Sequence, residues 1–249
     1  MNALVTAWLF GLAAVPLAAT AIRAQKPMIV LVHGAFADAS SWNKVIPILE
    51  RDGYIVTAVQ IPLSSLSDDV AATKRVLDAQ TGPVVLVGHS WGGAVITTAA
   101  AGNKKVKSLV YVAAFAPEAG EVVTAPAARF PAPELNSVLK PDEAGFLYID
   151  RARFHDAFAG DLPEAVTRIM AATQKPINGK AFGEKVPVAA WKTIPSWYVV
   201  STEDHAINPD LERYYAKRIG ATTTEIKASH VAFLSHPQDV ARVIETAAK

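Results

Sequence analysis

The sequence predicts an α/β fold in which a mostly parallel sheet of about six strands is flanked by helices. Short runs of β-branched and apolar residues alternate with segments of helical periodicity, which is typical of strands joined by right-handed crossovers. The chain has 249 residues, enough for one domain with a large core. One interval between two of the runs is too long for a single crossover and predicts a small cap inserted before the fifth strand.

The beginning of the chain, residues 1–24, predicts a signal peptide. Residues 3–22 carry no charge, and the triplets 19–21 and 22–24 resemble the small-x-small pattern of signal-peptidase sites. An uncleaved anchor is the alternative, because about 18–20 apolar residues can span a bilayer. The expectation is an exported protein, periplasmic or secreted, whose mature domain covers residues 25–249 and has no membrane contact once the leader is removed.

Six apolar runs predict the strands of the sheet. Most are continuous apolar stretches without polar alternation, as expected for parallel strands that are buried on both faces. In chain order the runs cover residues 28–32, 54–59, 84–87, 108–112, 197–200 and 222–226. Ligand sites of parallel sheets lie at the carboxyl ends of the strands, so functional residues are expected directly after these runs.

Segments with helical periodicity fill the intervals between the runs. The predicted helices cover residues 42–51, 67–79, 94–101, 209–219 and 237–248. The long interval, residues 117–190, predicts the cap subdomain and includes a helical segment over 162–172. A connection of this length is often a lid over an active site.

The composition excludes several classes of function. The chain has 24 basic and 23 acidic residues and no basic run, so we expect no binding to nucleic acid, which requires a strongly basic surface. Cysteine is absent, which excludes disulfides, thiol nucleophiles and zinc–thiolate sites. No metal or organic cofactor is expected, and the oligomeric state is left open.

A Gly-x-Ser-x-Gly segment spans residues 88–92, between the third predicted strand and a predicted helix. This strand–turn–helix context is the setting of a nucleophile elbow, a sharp turn that exposes the serine hydroxyl. The amide groups at the start of the helix favour an anion that develops there. Ser90 is therefore the candidate nucleophile.

A serine hydroxyl becomes reactive when a base accepts its proton and an acid orients that base. Of the six histidines, His230 follows the sixth predicted strand on the side where the elbow opens, which makes it the candidate base. The acid is expected after the fifth strand, where Glu203 and Asp204 are adjacent. Asp204 is preferred, because the turn before Asn208 should point it toward His230, and Glu203 remains the alternative.

Two backbone amides are expected to bind the negative oxygen of a tetrahedral intermediate. One is the N–H of Trp91, the residue after the candidate nucleophile. The other belongs to the loop after the first strand, where Gly34 allows the backbone to turn. The N–H of Ala35 is the preferred donor of this loop, and that of Phe36 is the alternative.

Together, the His-Gly-Ala-Phe segment at 33–36, the elbow at 88–93, the turn at 202–204 and the Ser-His pair at 229–230 resemble the α/β-hydrolase superfamily. The most similar branch is that of the small serine esterases related to methylesterases and hydroxynitrile lyases. The resemblance implies the α/β-hydrolase fold over nearly all of the chain after the leader, and a triad in the order Ser, Asp, His.

One departure from this branch bears on the reaction. The hydroxynitrile lyases of the branch have a lysine after the catalytic histidine and a threonine in the first oxyanion loop. Val231 and Gly34 occupy these positions here, which disfavours cyanohydrin cleavage and favours ester hydrolysis.

The expected function is the cleavage of carboxylic esters of small, largely apolar substrates through an acyl-enzyme on Ser90. Phe36, Phe154 and Phe158 are candidates for substrate binding, although the phenylalanines of the cap can equally form the cap's own core. Two other functions remain open at this point: a cofactor-free lyase or perhydrolase of the same fold, and a ligand-binding protein that uses a hydrolase pocket.

Overall fold

The computed structural model describes residues 26–249, and the predicted signal peptide, residues 1–24, lies outside this range. Within the described range the backbone forms nine strands and nine α-helices. The strands are β1 (Met28–Val32), β2 (Val56–Val59), β3 (Val84–His89), β4 (Val106–Val112), β5 (Leu139–Pro141), β6 (Phe146–Ile149), β7 (Ile177–Asn178), β8 (Ser196–Ser201) and β9 (Thr222–Ile226). The helices are α1 (Ile46–Arg51), α2 (Leu66–Ala79), α3 (Trp91–Ala99), α4 (Leu135–Val138), α5 (Phe154–Phe158), α6 (Glu164–Thr173), α7 (Pro209–Arg218), α8 (Ala232–Ser235) and α9 (Pro237–Ala247).

Six of these strands form one sheet in the order β2-β1-β3-β4-β8-β9. Every neighbouring pair is parallel, so the predicted α/β class and its six-stranded parallel sheet are confirmed. All six residues of β3 are buried, which explains its continuous apolar sequence. In β9, at the edge of the sheet, only the last residue is buried, and the strand is accordingly rich in threonine.

The order of the strands reverses around β1, because β2 lies on one side of it and β3 on the other. Such a switch point opens a crevice at the carboxyl ends of the two strands that flank it, here β1 and β3. The loop after β1 and the turn after β3 meet there, since a Cβ placed on Gly34 would lie 2.7 Å from the Cβ of Ser90. The fold therefore brings the predicted oxyanion loop to the predicted nucleophile.

The predicted helices of the parallel domain are present, with shifted ends. The helix predicted over 67–79 begins at Leu66, because the Ser65 hydroxyl caps it by accepting the Asp68 N–H at 3.0 Å. The segment predicted as one helix over 42–51 is divided, because Trp42 ends a 3₁₀ turn that begins at Ala39 and α1 begins only at Ile46. Pro47 explains the division, because it has no N–H and its ring would clash with the carbonyl four residues earlier in a continuous helix.

The cap is inserted between β4 and β8, before the fifth strand of the parallel sheet, as predicted. Its helix α6 corresponds to the helical segment predicted over 162–172. The cap also contains an antiparallel sheet, β5-β6-β7, that the sequence analysis did not predict. These strands have two to four residues, too few for a period of two to stand out. Among residues 26–249, no helix has the length and the apolar character required to cross a membrane.

Candidate active site

Ser90 lies in the sharp turn between β3 and α3, at the carboxyl end of the parallel sheet. Its backbone has φ 52° and ψ −119°, in the region that L-residues rarely adopt. A conformation of this kind costs on the order of 1–3 kcal/mol and persists where the surrounding structure holds it. The Ser90 N–H donates to the Val112 carbonyl at 3.1 Å, which ties the turn to the neighbouring strand β4.

The glycines on both sides of Ser90 are required by close contacts between backbones. A Cβ on Gly88 would lie 2.5 Å from the Gly92 carbonyl oxygen. A Cβ on Gly92 would lie 2.7 Å from the carbonyl oxygen of Val32, at the end of β1. The elbow can therefore hold Ser90 against the loop after β1 only because neither glycine has a side chain.

Replacing Gly92 with alanine is expected to lower the free energy of unfolding by about 1–3 kcal/mol, because the backbone atoms that meet the new methyl group have to move. Gly82 is the matched control, since nothing lies within 4 Å of a Cβ at that position. Gly82→Ala should change the stability by less than about 1 kcal/mol. Urea unfolding of both variants measures the difference, and equal effects would contradict the packing argument.

His230 and Asp204 form a buried pair, with 2.5 Å between His230 Nδ1 and Asp204 Oδ2. The other carboxylate oxygen, Oδ1, accepts the N–H groups of Ala206 at 2.6 Å and Ile207 at 2.9 Å. Three donors therefore hold the carboxylate in place. A carboxylate only accepts hydrogen bonds, so Nδ1 of His230 is the donor, and in the neutral ring Nε2 is then the acceptor that can act as a base.

The structure brings Asp204, and not Glu203, to His230. The Glu203 side chain is 51% exposed and lies 3.4 Å from the ammonium group of Lys227 on the surface. The Asp204 side chain is fully buried. The adjacent acids thus point in opposite directions, which leaves Asp204 as the only one of the two that can orient the imidazole.

The loop after β1 is held by the buried ring of His33. Nδ1 of His33 donates to the Gly34 carbonyl at 2.8 Å, and Nε2 accepts the Ile61 N–H at 3.1 Å. Burial lowers the pKa of His33 to about 4, so the ring is neutral and serves both hydrogen bonds. Phe36 has a left-handed backbone with φ 62°. The loop is thus fixed in a strained shape beside Ser90.

The second predicted amide, that of Trp91, belongs to the first residue of α3 and has no partner within the helix. Its indole ring is fixed by a residue that the sequence analysis did not single out. Asp69 accepts the Trp91 Nε1–H at 2.7 Å and the Leu63 N–H at 2.7 Å. Burial raises the pKa of Asp69 to about 6. In the sequence Asp69 resembles an ordinary acid of a helix start, beside Asp68.

A cavity of about 280 Å³ opens over Ser90 and His230, between the parallel sheet and the cap. Phe36 and Phe158, two of the candidates for substrate binding, line this cavity, whereas the third, Phe154, does not. The Phe154 ring packs against that of Phe158 at 5.1 Å between centroids and belongs to the cap's core. The complete lining consists of Ala35, Phe36, Ser90, Phe115, Thr124, Ala127, Pro131, Pro133, Leu135, Asn136, Leu139, Phe158, Phe182, Ala206, Ile207, Asn208, Leu211 and His230.

The chemistry that this cavity can support follows from the groups at its base. Its base is lined by a hydroxyl on a strained turn, an imidazole oriented by a buried carboxylate, and the start of a helix, which are the groups that nucleophilic catalysis uses. Within residues 26–249, no group of three or more His, Asp or Glu side chains is arranged to hold a metal ion.

Comparison with known proteins agrees with the fold. A sequence model of the protein family described as "Alpha/beta hydrolase family" matches residues 29–243. Salicylic acid-binding protein 2 of Nicotiana tabacum is 28% identical over 254 residues, covering 88% of this chain and 96% of that protein. Methylesterase 8 of Arabidopsis thaliana is 27% identical over 214 residues, covering 76% of each.

The solved structure of polyneuridine aldehyde esterase superposes on the chain with a TM-score of 0.79. It is 20% identical and covers 90% of this chain and all of the other, so it shows the shared fold. The resemblance to a superfamily that includes methylesterases is therefore confirmed. The family match spans nearly all of the described residues, and the chain belongs to the alpha/beta hydrolase family, as an enzyme of that superfamily.

Proposed function

We propose that the chain is a serine esterase that cleaves carboxylic esters of small, largely apolar substrates. The observation that carries the proposal is the buried His230–Asp204 pair, 2.5 Å apart, at the base of the apolar cavity that Ser90 also lines. The name of the relative Methylesterase 8 supports an ester as the substrate class.

In the first half of the reaction, Nε2 of His230 accepts the proton of the Ser90 hydroxyl while the oxygen of Ser90 attacks the ester carbonyl carbon. The carbonyl oxygen becomes negative and is bound by the N–H groups of Ala35 and Trp91. The imidazolium then gives its proton to the leaving alcohol as the ester bond breaks. An acyl group remains on Ser90.

In the second half, a water molecule gives one proton to His230 and attacks the acyl carbon. The same two amides bind the oxyanion again, and the proton returns to the oxygen of Ser90 as the carboxylic acid leaves. Asp204 stays ionised throughout and stabilises the imidazolium. Each half therefore ends with His230 neutral.

The lining of the cavity favours neutral substrates. His230 is its only titratable side chain, and aromatic, aliphatic and proline residues form most of the wall. A charged acyl group would lose its hydration there without gaining an ion-pair partner. The volume of about 280 Å³ accommodates a short acyl chain better than a long one.

Hydrolysis of a series of p-nitrophenyl esters tests the proposed function. We expect kcat/KM to be highest for acetyl and butyryl esters, lower for the dodecanoyl ester, and lowest for an ester whose short acyl chain ends in a carboxylate. Release of p-nitrophenol measures the rates. Tight binding of the esters without turnover would instead support a ligand-binding protein, and a preference for the charged ester would contradict the proposed substrate class.

A further inference from the structure

Glu212 is a buried carboxyl group behind Asp204 that takes no part in the reaction described above. It lies in the first turn of α7, with no exposed surface. Its Oε2 accepts the N–H of Ser201, at the end of β8, at 3.0 Å. Its Oε1 is buried and receives no hydrogen bond from any residue in 26–249. The Asp204 carboxyl group adjoins that of Glu212.

Asp204 has room for one more donor. A carboxylate offers about four acceptor positions on its two oxygens. His230 and two backbone N–H groups occupy three of them. Two ionised carboxylates side by side would repel each other strongly at a buried site, whereas a protonated Glu212 would supply the missing donor.

Among residues 26–249, no cation forms an ion pair with Glu212. The charged and titratable groups that face it are Asp204, Tyr198 and Arg213. The Arg213 guanidinium binds Glu225 and Asp210 at the surface. The Tyr198 hydroxyl donates to the Ala114 carbonyl. Neither group is therefore free to compensate a second negative charge.

The proton is expected on Glu212 rather than on Asp204. Three donors stabilise an ionised Asp204, whereas Ser201 alone donates to Glu212. Burial and the neighbouring charge of Asp204 raise the pKa of Glu212 well above its ordinary value of 4.5.

We propose that Glu212 is a protonated carboxylic acid whose Oε1–H donates to Asp204, so that it acts as a positioning residue for the Asp204–His230 pair. The proton stays on Glu212 through the reaction, because Asp204 remains the ionised partner of the imidazolium. The effect on catalysis rests on the proposed esterase function, whereas the protonation itself does not.

The pH dependence of folding tests the protonation without any catalysis, in a Ser90→Ala background. Unfolded Glu212 ionises near 4.5, so a proton that the folded chain retains makes folding less favourable as the pH rises above that value. Glu212→Gln removes this titration. The measured quantity is the unfolding equilibrium constant of Ser90→Ala divided by that of the variant that carries both Ser90→Ala and Glu212→Gln. This ratio should rise about tenfold per pH unit between about pH 5 and 7. A ratio that does not change with pH would overturn the proposal.

An infrared measurement keeps the test valid if the Glu212 variant fails to fold. The Ser90→Ala protein should show the C=O stretch of a protonated carboxylic acid at pH 8. Labelling with ¹³C-glutamate should shift this band, and labelling with ¹³C-aspartate should leave it in place. Absence of the band, or a shift on aspartate labelling, would overturn the assignment of the proton to Glu212.

Steady-state kinetics tests the positioning role. Glu212→Leu removes the donor to Asp204 and should lower kcat for p-nitrophenyl acetate about tenfold or more, with KM little changed. Glu212→Gln should recover most of this loss, because its amide can donate to Asp204 and accept the Ser201 N–H. Equal losses in both folded variants would contradict the role. If Glu212 is protonated but the protein cleaves no ester, the protonation is supported and only the proposed esterase function is refuted.

Discussion

Replacing Ser90 with alanine is expected to lower kcat for p-nitrophenyl esters by about 10⁴-fold or more, since the acyl-enzyme can no longer form. Only the oxygen that attacks the substrate is removed. The backbone hydrogen bonds of the turn, including that from the Ser90 N–H to Val112, do not need the hydroxyl. The variant should therefore fold like the parent protein, which circular dichroism and the unfolding midpoint can verify.

Ser40→Ala is the matched control for the loss of a serine hydroxyl. Ser40 is exposed in the 3₁₀ turn after β1, and its side chain is not part of the cavity lining. Its activity should lie within about twofold of the parent, as for most surface substitutions. A Ser90→Ala protein that keeps more than a tenth of the parent kcat would rule out Ser90 as the nucleophile.

Replacing Asp204 with asparagine is expected to lower kcat by about 10⁴-fold, the loss seen when the acid of such a triad becomes an amide. The amide oxygen can keep the N–H groups of Ala206 and Ile207, which turns the amide nitrogen toward Nδ1 of His230. Nδ1 must then accept a hydrogen bond, so the proton of the ring moves to Nε2. A ring in this tautomer cannot accept the proton of Ser90.

Glu203→Gln is the matched control, because it makes the same chemical change at the adjacent position. Glu203 faces solvent beside Lys227, where an ion pair contributes little, so kcat should change by less than about twofold. The two variants are compared by kcat at neutral pH, together with their unfolding midpoints. A larger loss of kcat in Glu203→Gln would assign the acid to Glu203 and refute the site described here.

The features that could be predicted from the sequence are those that local pattern determines. The interior strands of the main sheet are buried and have apolar sequences, and the edge strands β2 and β9 are rich in β-branched residues, so all six strands were evident. The Gly-x-Ser-x-Gly turn has a recognisable residue pattern directly after an apolar strand, so its position was evident too. Strand order then places Ser90, Asp204 and His230 at one edge of the sheet.

The features that could not be predicted depend on contacts between distant segments. Asp69 and Glu212 both lie in the first turn of a helix, where acids are common on exposed surfaces. Their burial follows from the way α2 and α7 pack, which no local pattern reports. The choice between Phe154 and Phe158 as cavity wall likewise depends on how α5 faces the sheet.

Covalent labelling with a p-nitrophenyl phosphonate tests most directly whether the Asp204–His230 pair activates Ser90. The phosphonate reacts with an activated serine and mimics the tetrahedral intermediate. Intact-protein mass should show one phosphonyl group, and peptide mass analysis should place it on Ser90, with no labelling of Ser90→Ala and much slower labelling of Asp204→Asn. A label on another residue, or none in a protein that still hydrolyses esters, would contradict the assignment of Ser90 as the nucleophile.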